Sequence, residues 1–233
     1  MITIALSKGR ILKQTLPMLE SIGISIKDDP FTSRKLIFET NREDFNCVII
    51  RATDVPTYVQ FGAADLGIVG KDGLMEHGGE GLCELLDLQI AKCRLMTAVP
   101  KDQANSGSKK RIRVASKYVK LAQDYYQSQG VQAEIIKLYG AMELAPLVGL
   151  ADEIVDIVES GNTLKANDLV PKDLIANISC RLVANAASMR VKHDGISTLV
   201  EQLSEVVDKA QACLLYTSPS PRDLSTSRMP SSA

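Results

Sequence analysis

The densest chemistry in the chain lies in residues 152–164, DEIVDIVESGNTL. An apolar run ends in acidic residues, and a Ser-Gly-Asn-Thr turn then opens into a helix-like stretch. That pattern suits a phosphorylated sugar. Gly161 lets the backbone come close to a phosphate, Ser160 and Thr163 add hydroxyl donors, and successive N–H groups at a helix start form an anion-binding nest. Asp156 and Glu159 offer carboxylates to ribose hydroxyls. The residues equally allow a plain N-capped turn after a core strand. No G-x-x-x-x-G-K-[ST] sequence occurs, so this is not a Walker loop.

A second group is basic: Lys8 and Arg10, Arg34 and Lys35, Arg51, and Lys71, each at an expected strand end or turn. Guanidinium groups bind phosphate oxygens bidentately and stay charged at any relevant pH. Solvated surface charge is the competing reading for any one of them. Lys8-Gly9-Arg10 stands out because a strand-to-helix turn near the N-terminus is a typical cleft position.

Elements must position these groups. Residues 1–6 read as a short buried strand. Ile11, Leu12, Leu16, Leu19 and Ile22 recur at helical spacing up to Gly23, with Pro17 inside. Residues 35–38, 47–50 and 65–69 read as strands. Asp54 is placed to cap a helix carrying Val55, Val59 and Phe61. Further strands are expected at 95–99, 112–115, 133–138, 154–158 and 180–184, with helices at 118–129 and 142–147. A final amphipathic helix carries Ile196, Leu199, Leu203, Val207 and Ala210. Alternation of this kind predicts an α/β fold with mostly parallel sheets. The polar loop near Asn105 and the late return strand suggest two lobes joined by two crossings. The division expected is lobe I at 1–90 plus 180–212, and lobe II at 91–179. Between such lobes lies a natural ligand cleft.

Bulk properties narrow the function classes. The 233 residues carry a net charge of −1, with 45% hydrophobic and 24% charged residues. That balance predicts neither a nucleic-acid nor an anionic-membrane partner. Five scattered cysteines and two histidines argue against a structural zinc site and for reduced thiols. The N-terminus shows no signal-peptide pattern and no apolar run reaches membrane-spanning length, so a cytoplasmic location is expected. Residues 213–233 are rich in Ser, Thr and Pro, resemble translated vector sequence, and are expected to be disordered.

Six segments in order, LSKGRIL, SRKLIF, RATDVPTYV, GAADLGIVGKD, KLYGAMELAPLVGLAD and IVDIVESGNTL, resemble the ATP phosphoribosyltransferase family over about residues 1–210. The resemblance implies a two-lobed, type II periplasmic-binding-protein-like fold. It implies the short form, without a C-terminal regulatory domain, acting as a homodimer that assembles with a regulatory subunit similar to histidyl-tRNA synthetase. The implied reaction is displacement of pyrophosphate from C1 of phosphoribosyl pyrophosphate by N1 of ATP, with Mg²⁺, as the first step of histidine biosynthesis. By matching motifs, Arg10 and Arg34, assisted by Lys35, are expected to stabilise pyrophosphate. Ser160, Gly161, Asn162, Thr163 and Leu164 would cradle the 5′-phosphate, with Asp156 facing the ribose. Lys8, Gly9, Arg51, Lys71, Asp72, Glu143 and Glu159 complete the expected substrate contacts. Two rivals remain: a two-lobed solute-binding module, and a phosphoribosyltransferase with another acceptor. The latter typically has two adjacent acidic residues before the phosphate loop, where this chain has D-I-V-E.

Overall fold

The computed structural model describes residues 1–103 and 111–217. Its strands form two sheets. The first has the order β2-β3-β1-β4-β11-β5, built from β1 (Ile2–Ser7), β2 (Ile37–Glu39), β3 (Phe45–Ile50), β4 (Leu66–Gly70), β5 (Leu82–Asp87) and β11 (Cys180–Asn185). The second has the order β10-β6-β9-β7-β8, from β6 (Cys93–Pro100), β7 (Arg111–Ser116), β8 (Gln132–Lys137), β9 (Glu153–Val158) and β10 (Leu169–Ile178).

Each sheet is covered on both faces, as the apolar runs demand. On the first sheet, Leu6, Ile68 and Leu182 pack against α1 (Arg10–Ser21) and α8 (His193–Thr217) through Leu12, Leu19, Ile196, Leu199 and Leu203. Ala5, Val69 and Val183 point to the other face, where α2 (Val55–Gln60) and α3 (Lys71–His77) supply Val55, Val59 and Leu74. The second sheet repeats the scheme. Val114 and Val155 face α4 (Val119–Ser128) through Leu121, Ala122 and Tyr126. Ala115 and Ile154, one residue along each strand, face α5 (Leu144–Leu147) and α6 (Asn162–Ala166) through Ala145 and Leu164.

Several expectations need correction. The sheets are mixed, not mostly parallel: β1 runs parallel to β3 and β4, and β7 to β8 and β9, while β2, β5, β6, β10 and β11 pair antiparallel. Gly70-Lys71-Asp72-Gly73, where the sequence marked no element, opens a helix: α3 begins at Lys71 and ends at the left-handed cap Gly78. Asp54 precedes α2 without capping it by its side chain. The chain crosses between sheets at residues 88–93 and 178–180. There Leu88 and Cys180 exchange backbone hydrogen bonds with residues of the opposite crossing, and Gln89 and Ala91 adopt positive φ. Since β6 and β7 share a sheet, the polar loop between them is not a crossing, and residues 104–110 lie outside the described ones. Helix α8 continues to Thr217, into the stretch expected to be irregular, and residues 218–233 also lie outside the described ones.

Candidate active site

The parallel strands of each sheet aim their C-terminal ends at the same cleft. From the first sheet, β1 delivers Lys8, Gly9 and Arg10, β3 delivers Arg51, and β4 delivers Lys71 and Asp72. From the second, β7 ends at Ser116 and Lys117, and β9 at Glu159 and Ser160. Side chains of the site meet across the gap: the Arg10 guanidinium lies 2.5 Å from the Glu159 carboxylate, and the Tyr118 hydroxyl donates to Asp72 at 2.5 Å.

On the second lobe, Glu143, Asp156, Glu159, Ser160, Gly161, Thr163 and Leu164 line one recess of about 270 Å³. The sequence-level grouping is therefore a spatial one. Gly161 caps α6 at φ 78°, a left-handed conformation that any other residue would strain. It turns the chain from the end of β9 into α6. Asn162 N–H is held by the Ser160 hydroxyl at 3.4 Å, and those of Thr163 and Leu164 precede the helix's own hydrogen bonding. Leu164 is buried and anchors the turn, while Asn162 and Thr163 are exposed. Asp156 sits deeper. Burial pushes its carboxyl above the usual range and Glu143 and Asp72 push the same way, opposed by a hydrogen bond from Ile157 N–H and by Lys117, 3.9 Å away.

The first lobe presents a wider recess of about 580 Å³ lined by Lys8, Leu36, Ile49, Ile50, Arg51, Ala52 and Asp54. Lys8 and Arg51 are exposed along it. Arg34 and Lys35 precede Leu36 on the loop before β2. Arg34 is exposed and engages no described side chain, and Lys35 is paired with Asp28 at 2.6 Å. Arg10 also donates to the Lys92 carbonyl at 3.2 Å, where the chain crosses between lobes. Lys71 and Asp72 diverge: Lys71 pairs with Glu84 at 2.5 Å, whereas Asp72 bends back over Gly70 toward Tyr118. A side chain at Gly70 would collide with the Asp72 carboxylate.

Three groups were not singled out from the sequence. Lys117 stands 4.7 Å from the Tyr118 ring centre, beside Asp156. Tyr118 is buried, and burial first, then Asp72, raises its phenol pKa, so it donates as a neutral hydroxyl. Their signal was available, since both follow a strand whose neighbour ends in the phosphate-type turn. Cys93 sits half-buried where β6 begins, and burial, reinforced by Asp72, pushes its thiol up to about 11. It is a protonated thiol and no nucleophile.

A family model described as ATP phosphoribosyltransferase matches residues 51–205. An ATP phosphoribosyltransferase of Alcanivorax borkumensis is 61% identical over 211 residues, 91% of this chain and 98% of that protein. One from Marinobacter nauticus is 62% identical over 209 residues, 89% and 96% of the respective chains. Among solved structures, a chain of the ATP phosphoribosyl transferase (HisG:HisZ) complex from Thermotoga maritima superposes with a TM-score of 0.78 at 34% identity, covering 90% of this chain and 100% of that one. An amino-acid transporter substrate-binding protein from Streptococcus pneumoniae reaches 0.59 at 13% identity, covering 91% and 88%, a likeness of fold alone.

Proposed function

Because the chain belongs to the ATP phosphoribosyltransferase family, we propose that its cleft divides one reaction between the lobes, phosphoribosyl pyrophosphate on the second and ATP reaching it from the first. The protein is a pentosyltransferase. It catalyses the first step of histidine biosynthesis, joining N1 of the ATP adenine to C1 of phosphoribosyl pyrophosphate and releasing pyrophosphate. The observation that carries the assignment of sites is the recess at the end of β9. A half-buried carboxylate, two hydroxyls and the N–H groups at the start of α6 meet there, with Arg10 of the opposite lobe on its rim.

In this reading the 5′-phosphate occupies the Ser160–Leu164 turn, where backbone dipoles already point at the anion and need no reorganisation. Asp156 accepts from ribose hydroxyls, and Lys117 keeps it in place. As the C1–O bond lengthens, its electron pair leaves with pyrophosphate while the sugar carbon gains positive charge. The adenine N1 lone pair closes the new bond. Arg10 meets the departing diphosphate by exchanging its Glu159 partner for phosphate oxygens, and Arg34 and Lys35 add charge from the loop before β2. Glu159, freed by the exchange, stays at the ribose edge. Lys8 and Arg51 line the wider recess and receive the ATP phosphates, with Gly9 leaving room at the turn. Lys71 and Asp72 frame the base.

A bound magnesium ion would supply charge neutralisation to the leaving group. Asp156 and Glu143 are the carboxylates positioned to meet it or its waters. Two carboxylates fit an ion whose remaining oxygens would come from substrate and water.

The assembly proposed is a homodimer joined to a regulatory subunit resembling histidyl-tRNA synthetase. Support comes from the two-component Thermotoga complex. A cytoplasmic location is proposed as well, and no helix among the described residues is long and apolar enough to cross a membrane.

The test mixes purified protein with ATP, phosphoribosyl pyrophosphate and Mg²⁺ and follows the absorbance of the N1-substituted adenine. A signal that needs all three components is expected. Its absence, with the cognate regulatory subunit present, would overturn the reading.

A further inference from the structure

Helix α4 lacks a cap of its own. Its N-cap residue, Tyr118, makes no side-chain bond to the helix, and its first turn carries no acidic residue. The N–H groups of Lys120 and Leu121 are nevertheless satisfied, each by one oxygen of the Glu76 carboxylate at 3.1 Å. Glu76 belongs to α3, on the other lobe. The contact is reciprocal, because the Lys120 ammonium lies beside Gly78, the C-terminal cap of α3. One lobe thus caps a helix of the other with a full negative charge at its positive end, and receives a cation at the negative end of its own helix.

The neighbours of this junction lead to both halves of the site. Next to Glu76 on α3, one turn back, is Asp72, held by Tyr118. Next to Tyr118 is Lys117, which faces Asp156. The capped helix therefore starts where the phosphoribosyl half is built, and the capping helix starts where the nucleotide half is built. The remaining covalent links are the crossings at 88–93 and 178–180, narrow enough to act as a hinge.

We infer that Glu76 is a positioning residue: by capping α4 across the lobe boundary it holds the ATP half and the phosphoribosyl half at the separation the displacement needs. The inference rests on the site assignment above, and its consequence is specific. Loss of the cap leaves each half intact and misaligns them, so turnover falls while both Michaelis constants stay close to their original values.

The experiment compares wild type, Glu76→Gln, Glu76→Ala and the double variant Glu76→Ala/Val119→Glu. Glutamate at the first position of α4 stabilises that helix through its dipole and leaves Lys120 at the end of α3. Glu76→Ala is expected to lower kcat by about tenfold to a hundredfold with both KM values changed less than about threefold. Glu76→Gln keeps one acceptor and should lose several-fold. The double variant should regain the melting temperature and not the turnover. Full activity of Glu76→Gln, or turnover recovered together with melting temperature in the double variant, would reduce Glu76 to an ordinary stabilising cap and overturn the inference. Small-angle scattering reads the same claim without catalysis: the distance distribution should broaden in Glu76→Ala, and an unchanged one would contradict it. An inactive wild type would fault the reaction assignment instead, leaving the scattering result to decide the role of Glu76.

Discussion

The two faces of the cleft offer an anion different groups. On the first lobe the groups proposed to bind phosphate oxygens are the long cationic side chains Arg10, Arg34 and Lys35, placed for pyrophosphate, all exposed and reaching from a strand-to-helix turn or a loop. On the second they are chiefly backbone N–H groups and hydroxyls on a turn anchored by buried Leu164, with Asp156 beneath. Flexible cations lose rotamer freedom when they close on a ligand, and their field follows charge as it moves. A backbone nest is fixed in advance and suits a phosphate that stays where it binds. The difference matches the reaction: the 5′-phosphate is a handle, whereas pyrophosphate gathers charge and departs.

Variants can break that contrast. The largest effect is expected for Arg34→Ala and Arg10→Ala, with kcat falling by roughly 10²–10³ and a smaller change in binding, because their partner matures in the transition state. Steady-state kinetics would show it, and an unchanged kcat in either variant would remove that arginine from the mechanism. Gly161→Ala comes next. Forcing a side chain into the left-handed cap should cost about 1 kcal/mol in stability and about tenfold in phosphoribosyl pyrophosphate affinity. Calorimetric titration would register both if paired with a melting curve. Thr163→Ala should weaken the same affinity by a few fold, near 1 kcal/mol for one hydroxyl, with kcat little changed. An unaltered dissociation constant would take Thr163 out of the cradle.

The smallest functional effect is expected far from the cleft, at Asp65. Burial alone would raise its carboxyl, but hydrogen bonds from Lys192, Ser188 and the Thr3 N–H outweigh that and lower it. A depressed folded-state pKa gives stability that is complete above the ordinary value of 3.8 and is lost as pH falls through the lowered one. Asp65→Asn should therefore lower stability by about 2–3 kcal/mol at neutral pH, since Lys192 loses its charge partner. The gap to wild type should close toward acid, with kcat at 25 °C unaffected. A gap independent of pH would contradict the ion-pair account.

The same contrast explains what was legible in the chain. The nest on the second lobe is contiguous, so Ser160 to Leu164 could be read as a unit, and the structure brings them together. Short patterns likewise marked β1, β3, β9 and α4. Strands β5 and β10 escaped for local reasons: β5 has no buried residue apart from its flanks, and β10 carries Pro171 and register shifts on either side of Leu174. Helix α3 escaped because glycines at 70 and 73 imitate a turn. Ties between lobes were out of reach altogether. Arg10 with Glu159, Asp72 with Tyr118, and Glu76 with α4 join segments that no periodicity connects. Lys35 shows the converse, a legible cation that the fold pairs with Asp28.

The most direct measurement is a crystal structure with phosphoribosyl pyrophosphate and Mg²⁺ bound. The 5′-phosphate should lie within hydrogen-bonding distance of the Thr163 and Leu164 N–H groups, with Asp156 at the ribose hydroxyls and Arg10 turned from Glu159 to the diphosphate. A 5′-phosphate seated between Lys8 and Arg51 would contradict the division of the cleft.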